Sequence, residues 1–260
     1  MSTATAQLTT ATPPAGPPLS RGDIDAFYRD GFIRRLRVVG PAAMAVLRER
    51  IDREVLTTRG ANPKGDGLAA THCRHLDQPF LLDLIRSPVL VAAFQQLLGA
   101  DLMLWSSNFW LKQPGATAVP WHQDIHYWPL NPPINLTAWM AIDRVTAANS
   151  CVQVIPGSHG RTFDHRKVAE QMLDQEAVLE GCPLPAPALL ELEPGECAIF
   201  NERMLHHSAP NTSTLRRLGL GMRVAPPFVR VDPESSFLYP GHRCVMLAGE
   251  DRFGVNRMAG

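Results

Sequence analysis

The chain lacks any surplus of charge: 25 Lys and Arg stand against 25 Asp and Glu over 260 residues, and no block of like charge interrupts the balance. Without a basic face, neither a nucleic acid nor an anionic membrane surface is expected as the main partner. Paired cysteines are missing too. Cys73, Cys151, Cys182, Cys197 and Cys244 are scattered, odd in number and without CxxC spacing, which fits reduced thiols better than a disulfide framework or a zinc ribbon. No charge-free apolar run is long enough to span a bilayer. The opening MSTATAQLTTATPPAGPPLS has no basic stretch followed by an apolar one, so it does not read as a secretory signal. A cytoplasmic location is the expectation. There is no internal repeat. What remains is an ordinary globular composition, 45% hydrophobic, in a length that can bury one sizeable core.

Residues 1–20 are polar and Pro-rich, with little to bury, and are expected to form a disordered tail before a single domain over 21–260. The part up to residue 100 reads as helical. In 41–58, Met44, Leu47, Ile51 and Val55 fall on one helical face. Ser87 can cap a second helix, Pro88 suits its first turn, and Gly99 can end it after AAFQQLL. From Asp101 to about residue 230 the pattern changes to short β-prone segments. DLMLWSSNFWLK, LTAWMAID, CVQVI, LLELEP, ECAIF and RRLGLGMRV are divided by Gly, Pro, Asn or Asp. The expectation is an α+β chain whose helices pack outside an antiparallel β-sandwich or small barrel. The stretch 164–184, with VAEQMLDQEAV, reads as a helical insert between strands, either a lid or a surface excursion.

Two polar clusters carry chemistry. In WHQDIH, if the run is a strand, His122, Asp124 and His126 share one face. Far downstream, NERMLHHSAPNTSTLRR supplies His206, His207, Ser208, Asn211, Ser213, Arg216 and Arg217. Two imidazoles and one carboxylate can occupy one face of an iron(II) ion and leave its other positions open, the arrangement of non-haem iron oxygenases. Taken singly the features are weaker, since a His-x-Asp pair can merely solvate a sheet face and one of two adjacent histidines must turn away. Asn108, Trp110 and Lys112 alternate along one strand and are candidates for the same site. Tyr127, Trp128 and Trp139 either shape a pocket or pack in the core. His159 in PGSHG reads as part of a turn, and His72 and His75 make no comparable case for a ligand.

In order and spacing, HQDIHYWP, LTAWMAIDRVTAANSCVQVIPGSHG and HHSAPNTSTLRR resemble the phytanoyl-CoA dioxygenase family of iron(II)/2-oxoglutarate oxygenases. The similarity runs over about residues 101–225, with a looser match at IDAFYRDGFIRRL. It implies a double-stranded β-helix, or jelly roll. It also implies Fe(II), 2-oxoglutarate and O2 as cofactor and co-substrates, with release of succinate and CO2. Under the resemblance His122, Asp124 and His206 are the iron ligands, and His207 points the other way. Arg217 takes the distal carboxylate of 2-oxoglutarate, for which a planar guanidinium fork is suited, while Arg216 faces outward. Ser208 and Trp139 assist co-substrate binding. Apart from the resemblance, His126 reads as lining the substrate pocket, acting beside the ligands or simply packing, and Tyr127 as a residue of that pocket or of the core. A carboxylate at 124 favours hydroxylation over halogenation, with desaturation or cyclisation still open. The absence of a basic run favours a small polar metabolite or natural-product intermediate as substrate over an acyl-CoA ester. A non-catalytic metal or ligand sensor and a purely structural jelly roll are the competing classes, and the oligomeric state is not legible.

Overall fold

Helix α1 (Arg21–Asp30) begins in a closed capping box. The Ser20 hydroxyl accepts from the Asp23 amide, and the Asp23 carboxylate accepts from the Ser20 amide. Gly31, at φ 90°, ends the helix in the left-handed region that glycine tolerates. The turn delivers strand β1 (Phe32–Arg37), so the part before residue 100 is not wholly helical as expected. Ile33 and Leu36 bury against the helices, and that burial recruits the segment to a sheet edge. Helix α2 (Pro41–Glu54) buries Met44, Leu47 and Ile51, the face that the spacing predicts. Helices α3 (Pro79–Ile85) and α4 (Pro88–Leu98) both open on proline. Ser87 stands at the start of α4, but its hydroxyl makes no capping bond.

This computed structural model describes residues 16–58, 71–168, 173 and 175–259. The expected tail over residues 1–15 therefore lies outside the described residues. Over 16–20 the expectation fails: Leu19 is buried, and its backbone exchanges two hydrogen bonds with the Gln96 side chain. Among the described residues no single helix is long and apolar enough to cross a membrane.

The remaining strands are β2 (Leu102–Lys112), β3 (Val119–His122), β4 (Leu130–Asn131), β5 (Leu136–Ala141), β6 (Val152–Val154), β7 (His165–Lys167) and β8 (Gln175–Ala177). They continue with β9 (Ala188–Leu190), β10 (Glu196–Asn201), β11 (His206–Ser208), β12 (Arg217–Ala225), β13 (Arg230–Val231) and β14 (Val245–Ala248). Two antiparallel sheets, ordered β1-β10-β5-β12-β2-β14 and β3-β11-β6-β9, make the jelly roll. Small β4–β13 and β7–β8 pairs complete it.

Period-two alternation explains the layers. Leu218, Leu220, Met222 and Val224 of β12, with Ala138 and Met140 of β5, pack in one cluster with all four helices. The other face of the large sheet turns inward, where Trp139, Ala141, Ala198 and Phe200 meet Val152, Val154 and Leu190 of the small sheet. All nine residues of β12 are buried, as befits a strand covered on both faces. The 164–184 insert differs from the helical expectation: its described residues include the β7–β8 pair, with His165 opposite Ala177. Strand β8 also packs on β3, and such non-local partners override helical propensity. Residues 169–172 and 174, five of the eleven residues of the helical-looking motif, lie outside the described residues.

Candidate active site

Strands β3 and β11 are neighbours in register, with His206 directly opposite His122. The WHQDIH run is not one strand, however. It leaves the sheet after His122, and Asp124–His126 forms a 3-10 turn closed by the Tyr127 amide on the Asp124 carbonyl. The turn brings the Asp124 carboxylate back beside the two imidazoles. His126 is correspondingly turned out: it is exposed, stacks on His165 at 4.2 Å between ring centroids, and bonds Gln175 Oε1 through Nε2 at 2.6 Å. The expectation that His126 shares the face of His122 and Asp124 is therefore corrected, because alternation holds only while the chain stays extended.

Both imidazoles facing Asp124 have fixed tautomers. His122 Nδ1 donates to the Pro120 carbonyl at 2.8 Å, and His206 Nδ1 donates to the Met204 carbonyl at 2.9 Å. A carbonyl only accepts, so each Nε2 keeps its lone pair. Asp124 Oδ1 lies 3.7 Å from His122 Nε2 and 3.8 Å from His206 Nε2. The Thr137 hydroxyl donates to Asp124 Oδ2 at 3.3 Å. Burial, and then the neighbouring His206, hold His122 well below the usual histidine range, so its imidazole is neutral. His207 stacks on Trp121 at 4.0 Å, and burial brings it down to about 4.

Arg217 opens β12 and is 2% exposed. Its Nη1 donates to the Ser150 carbonyl at 2.8 Å, its guanidinium sits 5.2 Å over the Trp139 ring, and its Nε has no partner. Burial lowers it to about 10, so it is a cation at neutral pH. Arg216 turns away, to Asp143 at 3.0 Å and Asp52 at 2.8 Å.

One cavity brings together His122, Asp124, His206, Ser208, Trp139, Arg217, Asn108, Trp110 and Tyr127. Lys112 is not among its lining residues, which corrects its expected place. It is fully buried, with Nζ donating to Ser150 Oγ and the Ala209 carbonyl, each at 3.0 Å, so it ties two loops together. Burial, and then the adjacent Arg217, bring Lys112 down to about 7. The sequence reading missed Thr137, Arg223, Phe237, Tyr239 and His242, and it set His72 aside; all of them line the cavity. Continuing the alternation of β12 from Arg217 would have reached Arg223, whereas the segment after β13 offers no periodic signal.

The family profile described as "Phytanoyl-CoA dioxygenase (PhyH)" matches residues 27–219. The "Probable alpha-ketoglutarate-dependent hypophosphite dioxygenase" of Stutzerimonas stutzeri is 29% identical over 164 residues, which cover 59% of this chain and 57% of that protein. L-proline trans-4-hydroxylase of Streptomyces griseoviridis is 26% identical over 226 residues, covering 74% of this chain and 81% of its own. This chain spans about half the length of the first curated relatives it matches. The solved structure of CytC3 with Fe(II) and alpha-ketoglutarate (2-oxoglutarate) aligns with a TM-score of 0.75 and 26% identity, over 94% of this chain and 95% of that one.

Proposed function

The chain belongs to the phytanoyl-CoA dioxygenase family, and from that premise we propose that it is an iron(II)- and 2-oxoglutarate-dependent dioxygenase hydroxylating a small organic molecule. The observation that carries the proposal is the convergence of His122, Asp124 and His206, whose ligand atoms lie within 4.8 Å of one another. The 3.7 and 3.8 Å separations of Asp124 Oδ1 from the two Nε2 atoms lie within reach of two metal–ligand bonds of about 2.0–2.2 Å, and two imidazoles with one carboxylate are the donor set for iron(II). 2-Oxoglutarate fits as well, since Arg217 keeps an unpartnered Nε in a buried setting beside Ser208 and Trp139.

Iron(II) with 2-oxoglutarate and O2 supplies the oxidation, in which the co-substrate leaves as succinate and CO2 and one oxygen atom goes to a C–H bond. The protein's part is to hold and orient. His122 and His206 present fixed Nε2 lone pairs, Thr137 fixes the Asp124 carboxylate, and Arg217 offers Nε and an Nη to the distal carboxylate as a fork. Trp139 beneath that fork excludes water from it. Because Asp124 is a carboxylate rather than a small side chain, it frees no ligand position for a halide, and the donor set supports hydroxylation. Five free thiols fit a reducing compartment, the cytoplasm.

The test is anaerobic: load the protein with iron(II), add 2-oxoglutarate and look for the weak visible charge-transfer band. The band should vanish in Asp124→Ala and weaken in Arg217→Ala. Succinate release in air then screens candidate substrates, including amino acids, other small organic acids and acyl-CoA esters. A protein with no band and no affinity for either iron(II) or 2-oxoglutarate is not this enzyme.

A further inference from the structure

On the inward face of β12 the alternate residues after Arg217 are Gly219, Gly221 and Arg223. The strand therefore presents two guanidinium groups to one cavity, while the glycines between them are covered by Trp139 and by Trp110 with Asn108. Their Cα atoms are roughly 20 Å apart at the rise of an extended strand, so they serve different places. Arg217 is accounted for by the co-substrate; Arg223 is not.

Arg223 is 4% exposed. Its Nη1 donates to Asn108 Oδ1, its guanidinium lies 4.3 Å over the Trp128 ring, and its Nε has no partner. Among the described residues no carboxylate makes an ion pair with it, although the charge of Asp124 is near enough to favour its cationic form. Asp124 is already engaged, with Oδ1 toward the two imidazoles and Oδ2 accepting from Thr137. A buried cation ordinarily has an anionic partner, because it has lost its water, and here the cavity is the open side. Charge points the same way. Iron(II), Asp124, dianionic 2-oxoglutarate and Arg217 sum to zero, which leaves Arg223 one positive charge for one negative charge to meet. The walls nearby are apolar: Trp128 meets Phe237 edge to face at 4.9 Å, and Leu238 lines the same cavity.

We infer that Arg223, its fork held by Asn108 and backed by Trp128, is the receptor for a single carboxylate on the substrate, whose apolar body lies against Phe237 and Leu238. The substrate class is thus a monoanionic organic acid. This deepens the dioxygenase reading and takes from it the word substrate, but the receptor can be tested apart from it.

The experiment is calorimetric titration under anaerobic conditions, with iron(II) and saturating 2-oxoglutarate filling the Arg217 end. The probes are hexanoate against hexanamide and phenylacetate against phenylacetamide. Each acid should bind the wild type at least about tenfold more tightly than its amide, the usual scale for a charge-assisted hydrogen bond. Arg223→Gln should erase that preference, and Arg223→Lys should keep part of it. In Arg223→Gln the 2-oxoglutarate affinity, read from the charge-transfer band, should stay within about twofold of wild type, since the two sites are separate.

Equal binding of acid and amide to the wild type overturns the inference, and that comparison needs no variant to fold. A preference that survives Arg223→Gln overturns it too. So does a variant that loses iron(II) affinity while keeping the preference, because Arg223 would then serve Asp124. Where the wild type shows no band at all, the dioxygenase reading fails by itself. The acid–amide comparison in Arg217→Gln protein without metal then still decides the receptor.

Discussion

Gly219→Ala tests the packing around Trp139 and Arg217, the proposed co-substrate end of the cavity. A Cβ on Gly219 would stand 2.1, 2.4 and 2.6 Å from Cζ2, Cη2 and Cε2 of Trp139. Carbon atoms rest at about 3.5 Å, so the indole must retreat by about 1.4 Å. It is 5% exposed and packs with Val152, Leu190 and Phe200, so it can yield only into the cavity it lines. Gly219 is not in the left-handed region, so the substitution carries no backbone penalty and isolates the steric effect. Overpacking costs about 1–3 kcal/mol, while replacing a mid-strand glycine by alanine recovers about 0.5–1 kcal/mol. The net loss should be about 1–2 kcal/mol, or a Tm lower by about 2–8 °C for a chain of this size. Because Arg217 lies over the displaced ring, 2-oxoglutarate affinity should fall about tenfold as the fork moves. Thermal denaturation and titration of the charge-transfer band measure the two effects. Gly221→Ala is the control: its Cβ would sit 3.1 Å from Trp110 Nε1 and 3.4 Å from Asn108 Oδ1, a crowding that small shifts relieve, and stability should change by less than about 0.5 kcal/mol. The reasoning is refuted if Gly219→Ala leaves both Tm and affinity unchanged, or if Gly221→Ala does equal damage.

Thr137→Val removes the hydroxyl bonded to Asp124 and should weaken iron(II) binding about tenfold in chelator competition; wild-type affinity would show that Asp124 needs no such support. Burial pushes the Glu202 carboxyl from 4.5 up to about 7, so the folded state favours its protonated form. Stability from this source is full below about pH 4.5 and falls as the pH rises to about 7, by roughly 3 kcal/mol in all. In metal-free protein, Glu202→Gln should flatten that decline in urea denaturation, and an unaltered pH profile would count against it. Arg74, 1% exposed, donates to the Val55 and Thr58 carbonyls just past α2 at 2.8 and 3.1 Å, and pairs with Asp77 at 2.9 Å. Arg74→Met should cost roughly 3 kcal/mol by stranding these groups, and a loss under about 1 kcal/mol by urea denaturation would speak against that role.

Local spacing made much of the molecule legible. The buried face of α2, and the strands rich in β-branched and aromatic residues, follow from periods of 3.6 and 2 that neighbouring residues impose on one another, and the proline and glycine bounding α4 mark its ends. The His-x-Asp and His-x-Ser motifs were visible for the same reason, as short patterns of residues with few alternative uses in combination. The boundaries that failed are those where the chain trades local preference for a distant partner. FIRRLR became an edge strand because β10 was there to pair with it, and Gln175–Ala177 became a strand because β7 and β3 were.

The site itself shows where local information ends. Sequence spacing alone sets which side chains alternate in a strand, and so it proposed His122, Asp124 and His126 as one face. Where the strand stops is decided by the turn at Asp124, whose closing bonds include the Ile125 amide on the Glu202 carbonyl from far along the chain. That turn keeps Asp124 with the histidines and sends His126 to the surface. Likewise the alternation of Asn108, Trp110 and Lys112 is real, but the register of β2 on β12 sets Lys112 opposite Arg217. There the carbonyls of Ser208, the last residue of β11, and of Ala209 just beyond it capture its ammonium group. The sequence by itself determined which residue types were available for metal and carboxylate binding, because those are properties of single side chains and near neighbours. Only the tertiary structure decided which of them meet, since strand register and loop closure join residues that no local pattern relates.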